Sequence, residues 1–359
     1  MERGLLRRAL FYEEEADGRV RCTLCPHECR IAPGHRGACG VRINRGGALV
    51  TLVGDRVIAQ EVDPIEKKPL FHFLPGSTAY SIATVGCNLR CTFCQNWEMS
   101  QGPKLSEREA PAFVCLPVGR APEDTIPGLP TTPAALVHRA VARRCASVAY
   151  TYTEPTVFFE LALDTAAAAK AAGLRNVFVT NGFTAPAAIR MVAPYLDAAN
   201  VDLKSFRDAF YARVCGGRLA PVLDAIRLYR ELGVWIELTT LVIPGLNDSE
   251  AELRDLAAFI VRELGPGVPW HVSRFYPAFK MSTGENTPLE TLLRAALIGH
   301  EAGLEHVYLG NAPEASGEET RCAGCGTLVI RRAGLTLIEN RLRGGACPVC
   351  RRPVAGVWE

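Results

Sequence analysis

Cys87, Cys91 and Cys94 stand in a CxxxCxxC run short enough to bring three thiols onto one loop. A [4Fe–4S] cluster is usually held by four thiolates, so a loop offering three leaves one iron with an open position for a small molecule. S-adenosylmethionine has the right chemistry for that position. Chelated through its amino and carboxylate groups, it can accept one electron and break its sulfonium bond to give a 5′-deoxyadenosyl radical. The same thiols could instead hold zinc or lie buried without metal. The flanking residues favour the cluster: residues 80–85 read as a buried strand, Gly86 lets the chain turn sharply, and Phe93 can shield the cluster edge.

Two further cysteine groups flank this run. Cys22, Cys25, Cys29 and Cys39 form a four-thiolate set that suits either zinc or an auxiliary iron–sulfur cluster, and spacing does not separate the two. Cys322, Cys325, Cys347 and Cys350 form two CxxC knuckles around a hairpin-length segment, the pattern of a zinc ribbon. So small a module has little apolar core, and metal binding would supply much of its stability. Cys115, Cys145 and Cys215 have no partners in sequence and read as ordinary thiols.

The 359 residues are 48% hydrophobic and 22% charged with a net charge of +2, the composition of a soluble globular chain with no bias toward nucleic acid or acidic substrates. The start of the chain lacks the apolar core of a signal peptide, and no run is long enough to span a bilayer. Eleven of the 14 cysteines fall in tight metal-type groups, which favours reduced thiols and a cytoplasmic location.

These sites need a scaffold. Residues 2–16, with Leu5, Leu6, Ala9, Leu10 and Tyr12, read as an amphipathic helix. From about residue 77 onward short apolar runs (80–85, 148–152, 176–180, 198–203, 234–242, 270–275 and 306–309) alternate with helical stretches (133–144, 155–172, 185–194, 221–232, 249–263 and 288–302). That alternation predicts an α/β fold of parallel strands with helical crossovers. Three units are expected: a cysteine-rich module over 1–76, the βα region over 77–312 and the ribbon over 313–359. The Pro- and Gly-rich stretch 102–132 reads as an irregular excursion, either a lid or a passive loop. Where parallel strands carry chemistry it sits at their carboxyl ends. The cysteine loop, Thr153-Glu154, Thr180-Asn181 and Asp202-Leu203-Lys204 all fall at such ends. Two of these have a plainer alternative: Glu154 can cap the helix opened by Pro155, and Asp202 and Lys204 can form an internal ion pair.

The CxxxCxΦC run, with Phe93 at Φ, resembles the motif of the radical S-adenosylmethionine (radical SAM) superfamily. Asp63–Gly76 together with Gly86-Cys87-Asn88 and Cys94-Gln95-Asn96-Trp97 narrows the resemblance to the radical SAM member of the AmmeMemoRadiSam system, itself similar to pyruvate formate-lyase activating enzymes. The resemblance implies a partial (β/α)6 TIM-like barrel. It places Glu154 where the superfamily's GGE-like motif meets the cofactor's amino group, with Tyr152 and Thr153 in place of the glycines. Thr180 and Asn181 match a DTNG segment in which Val179 replaces the acidic residue of a cation site. It further implies that Thr153, Asp202 and Lys204 contact the cofactor, that His271 lies near its nucleoside, and that residues 242–245 close beside the adenine. A lone histidine is equally a satisfied core residue. Expected partners are an external one-electron reductant such as flavodoxin or ferredoxin, and Memo-like and AMMECR-like proteins; a membrane or nucleic acid is not expected. Rival readings are a glycyl-radical-enzyme activase and, from another class, a metal-bound scaffold or nucleic-acid-binding protein.

Overall fold

The computed structural model describes residues 7–105, 126–315 and 317–359. Cys115, the first residues of the expected N-terminal helix and most of the 102–132 segment lie outside them.

Eight strands form one mixed sheet in chain order: β1 (Ala59–Pro64), β2 (Thr78–Ala83), β3 (Ser147–Tyr150), β4 (Arg175–Thr180), β5 (Ala198–Asp202), β6 (Trp235–Val242), β7 (Trp270–Arg274) and β8 (Val307–Gly310). β1 pairs antiparallel with β2, and every later neighbour is parallel. The parallel strands are buried on both faces, which is why they read as short continuous apolar runs. Helices α1 (Pro133–Ala142), α2 (Phe159–Ala171), α3 (Pro186–Val192), α4 (Leu219–Glu231), α5 (Glu250–Phe259) and α6 (Leu289–Glu301) make the crossovers. Their starts carry the expected chemistry: Thr132 accepts the Ala135 N–H at 3.2 Å, Ser249 accepts that of Glu252 at 3.4 Å, and Pro133 and Pro186 open α1 and α3.

The main core lies between sheet and helices. A smaller one, formed by Ile65, Leu70 and Phe73 against Ala79, Ala149, Val177 and Ala198, plugs the amino ends of the strands on the opposite face. Chemistry is thereby left to the carboxyl ends.

The N-terminal region is not helical where it is described. Arg7–Arg8 pairs with Ala48–Thr51, and Tyr12–Glu14 pairs with Val20–Cys22. Phe11, at φ 55°, turns the chain between the two strands. Leu10 and Ala9, expected on one apolar face, part company: Ala9 is buried and Leu10 is exposed. The region is clamped to α2 by a fully buried ion pair, Arg42–Glu160, whose carboxylate also accepts the Leu10 N–H at 2.7 Å. At the other end β9 (Thr320–Arg321), β10 (Leu328–Ala333) and β11 (Thr336–Asn340) form an antiparallel sheet. It is docked at the amino ends of the strands, where buried Arg332 donates to the Phe71 carbonyl at 2.6 Å and pairs with Glu66. Val357 exchanges backbone hydrogen bonds with His72 and Leu74 at 2.7 and 2.8 Å.

Among the described residues no helix is long and apolar enough to cross a membrane.

Candidate active site

Gly86 ends the run from β2 at φ 99°, where a side chain would be strained, and the cysteine loop follows. The loop is braced from below: the N–H groups of Arg90 and Thr92 donate to the carbonyls of Cys215 and Val214 at 2.7 and 3.0 Å. Cys215 also sets its thiol beside that of Cys91, a proximity that nothing in its spacing signals. Cys87, Cys91 and Cys94 line one cavity of about 520 Å³, within the range of small-molecule sites.

Seven residues expected at the site from the strand ends and the loop line the same cavity: Phe93, Thr153, Glu154, Thr180, Asn181, Asp202 and Lys204. Glu154 is their hub. Its Oε1 accepts the Thr156 N–H at 3.0 Å, the Thr156 hydroxyl at 2.6 Å and the Thr180 hydroxyl at 2.8 Å, while Oε2 accepts the Asn181 N–H at 2.8 Å. The capping role is therefore real, and Oε2 keeps a lone pair for a cation. Burial pushes the Glu154 carboxyl up from its ordinary value, and these donors pull it back. The Asn181 amide donates to Asn88 Oδ1 at 2.9 Å and toward Cys87 Sγ at 3.6 Å, tying the end of β4 to the cysteine loop.

Asp202 and Lys204 form the ion pair allowed by the plainer reading, at 2.9 Å, yet the pair is part of the cavity wall. Burial works against the Lys204 charge, but Asp202 and the sulfurs of Cys91 and Cys215 together outweigh it and hold the ammonium well above its ordinary value. That ammonium lies 5.8 Å from the Phe93 ring centre.

Tyr152, standing where a glycine would be expected, adopts φ 61°, the left-handed conformation that glycine takes without strain. Three contacts hold it there. Its hydroxyl donates to Asp63, its carbonyl accepts the Asn96 amide at 2.8 Å, and the Lys68 ammonium sits 4.6 Å from its ring centre.

His271 does not line the cavity. Its Nε2 meets Glu237 Oε2 at 2.7 Å and its ring packs edge-on against Phe71, one layer nearer the amino ends. Glu237 also accepts the N–H groups of Phe71 and His72 at 3.0 and 2.8 Å. Two residues further along β7, Ser273 reaches the cavity instead. The strand's period of two carries that signal: a step from His271 toward the carboxyl end finds it. Lys67, Gln95, Asn96, Thr239 and Asn311 also line the cavity; the first three belong to the segments that carry the family resemblance, and none of the five was expected at the site.

The two outer cysteine groups differ in kind. The Sγ atoms of Cys322, Cys325, Cys347 and Cys350 lie within 4.8 Å of one another, with Cys322–Cys350 at 3.4 Å and Cys325–Cys347 at 3.6 Å. The Thr327 hydroxyl and N–H hold the Cys325 thiol down at about 6. This set can hold a metal ion. Cys22, Cys25, Cys29 and Cys39 line a separate small cavity beside Asn88.

Residues 81–257 match the model of the Radical SAM superfamily. The chain is also 41% identical over 347 residues to uncharacterized protein MJ0808 of Methanocaldococcus jannaschii, covering 96% of this chain and 98% of that one. The chain carries a domain of the Radical SAM superfamily and belongs to one family with that archaeal protein. Such a domain implies an iron–sulfur cluster and S-adenosylmethionine, and the triad with its open cavity fits both. Among solved structures, a domain of pyruvate-formate lyase-activating enzyme from Bacteroides vulgatus is 19% identical with a TM-score of 0.41, covering 46% of this chain and 99% of that one. Streptococcus suis SuiB is 14% identical with a TM-score of 0.47, covering 70% of this chain and 54% of SuiB.

Proposed function

We propose that this protein is a radical SAM enzyme that cleaves S-adenosylmethionine reductively and abstracts hydrogen from a substrate carbon. One observation carries the reading: three cysteine thiols and the polar ends of β4 and β5 open onto a single cavity, with Glu154 between them. Cys87, Cys91 and Cys94 would hold a [4Fe–4S] cluster with one open iron. When bound and reduced, the cluster supplies the electron that splits the sulfonium bond into methionine and a 5′-deoxyadenosyl radical.

The chain's own residues do the rest. Glu154 presents a buried carboxylate to the ammonium of the methionyl moiety, a charge-assisted bond. Lys204 offers a cation to its carboxylate while Asp202 keeps the ammonium protonated. Asn181 directs an amide N–H at the Cys87 sulfur, which eases negative charge there. The sheet would serve as a partial (β/α)6 barrel, with an external one-electron reductant such as flavodoxin or ferredoxin. We assign the chain to the AmmeMemoRadiSam system on its Asp63–Gly76 and Cys94–Trp97 segments, with Memo-like and AMMECR-like proteins as functional partners, and read the C-terminal cysteine set as a zinc site.

The test is anaerobic reconstitution followed by chromatography of small-molecule products under dithionite. 5′-Deoxyadenosine and methionine are expected from the native chain, and none from one with Cys87, Cys91 and Cys94 all replaced by Ala and its fold checked by circular dichroism. Absence of 5′-deoxyadenosine above a cluster-free control would refute the activity.

A further inference from the structure

We propose that Cys22, Cys25, Cys29 and Cys39 hold a second [4Fe–4S] cluster, placed to exchange an electron with the first across Asn88. The electron-transfer part rests on the cluster assignment at Cys87, Cys91 and Cys94. The first observation is the spread of the sulfurs. Four thiolates on one zinc, at about 2.3 Å each, stand roughly 3.8 Å apart, as those of the C-terminal set nearly do. Among the described residues that set is the one group of three or more such ligands whose donor atoms all lie within 4.8 Å of one another. The N-terminal four surround one cavity without drawing together to that degree, and the same holds for Cys87, Cys91 and Cys94. In a [4Fe–4S] cluster each thiolate binds a different iron, so its ligands stand farther apart than four thiolates on one ion. The N-terminal set, like the catalytic triad, is spread more widely than the four thiols of the ribbon.

The second observation is contact between the two sets. Asn88, next in sequence to Cys87, lines the N-terminal cavity, and its carbonyl lies 2.7 Å from His27 Nε2. A Cβ on Gly86 would come within 3.0 Å of the Cys39 carbonyl and 2.7 Å of Val41, so the backbones of the two loops touch. Lys104, bonded to the Leu89 carbonyl at 2.6 Å, lies within electrostatic reach of Cys39, Cys87 and Cys91 and serves both anionic sets. A purely structural zinc requires none of this adjacency. An external low-potential protein reductant gives one electron to the N-terminal cluster, taking it from the 2+ to the 1+ state. The same electron passes to the catalytic cluster, which falls to 1+ as the donor returns to 2+.

The experiment counts metals and spins in the anaerobically reconstituted full chain. About eight iron and one zinc per chain are expected, and about four iron and one zinc when Cys87, Cys91 and Cys94 are all replaced by Ala. About four iron and two zinc in the native chain, or an iron-free triple variant that keeps two zinc, would overturn the second cluster; the native count decides if the variant fails to fold. Electron paramagnetic resonance of the reduced native chain should show two signals broadened by mutual coupling, and uncoupled signals would overturn the electron transfer. Eight iron without 5′-deoxyadenosine formation would leave the second cluster standing and refute the activity alone.

Discussion

Lys68 holds its ammonium 4.6 Å from the centre of the Tyr152 ring, and the two side chains share one acceptor, the Asp63 carboxylate. Lys68 lies on the segment that plugs the amino ends of the strands and Tyr152 on the loop before Glu154, so the plug and the cavity wall are joined through one carboxylate.

Lys68→Met should leave Asp63 with one cation fewer and Tyr152 free to relax from its left-handed conformation. Lys67 still pairs with Asp63 at 2.8 Å, so losing this one charged hydrogen bond should destabilise the chain by about 1.5–3 kcal/mol. Affinity for S-adenosylmethionine should fall as the Glu154 loop shifts. Urea denaturation together with equilibrium dialysis of the labelled cofactor checks both, and unchanged affinity would show that the loop keeps its shape without Lys68.

Thr180→Val removes one of four donors to Glu154 at nearly constant volume. A single hydrogen bond to a charged group contributes about 1.5–3 kcal/mol, so cofactor affinity should drop by roughly tenfold or more if the carboxylate reorients. Dialysis against S-adenosylmethionine measures it. Affinity within twofold of the native value would mean that the other three donors suffice.

His306, almost wholly buried behind the amino ends of the strands, is held down at about 4, chiefly by burial; Glu237 pulls its value up, and His300 and Arg352 lower it further. His72 beside it is shifted the same way. An unfolded histidine titrates near 6.5, so the folded chain binds fewer protons between these values. Stability should be full above about pH 6.5 and fall as the pH drops toward 4, by on the order of 3 kcal/mol for His306 alone. Chemical denaturation at several pH values should show that slope, flattened in His306→Gln; an equal slope in both proteins would assign it to other groups.

Removing the C-terminal module outright would strip Arg332 from Glu66 and Val357 from His72, so truncation tests more than the metal. Replacing exposed Cys325 and Cys350 with Ser is cleaner. That variant should lose about one zinc per chain and keep its iron; a loss of iron with zinc retained would place a cluster at this end.

The parallel strands and their crossovers were legible because each is a short apolar run punctuated by Gly, Pro or a capping residue, as at Thr132 and Ser249. So were the strand-end residues from Thr153 to Lys204, since the period of two and the cysteine loop fix which end is open. The N-terminal strands were not. Arg7–Arg8 and Tyr12–Glu14 are too short to carry a period, and their pairing with residues 6 to 44 positions away overrides a local pattern that suits a helix. β1 was missed for a related reason: its Gln60, Glu61 and Asp63 give it the polarity of an edge strand. His271 was placed a layer too high because a strand's sequence gives the facing of a residue, not its depth.

The bridge between Phe73 and Val357 closes a loop of well over two hundred residues. Closing so long a loop carries an entropic cost that only the already assembled sheet can reduce. The clasp is therefore expected to form after the sheet has assembled and to contribute little to the folding transition state, which a φ-value near zero at Val357 would show. Strengthening it would lengthen the lifetime of the folded molecule against spontaneous opening without hastening its assembly.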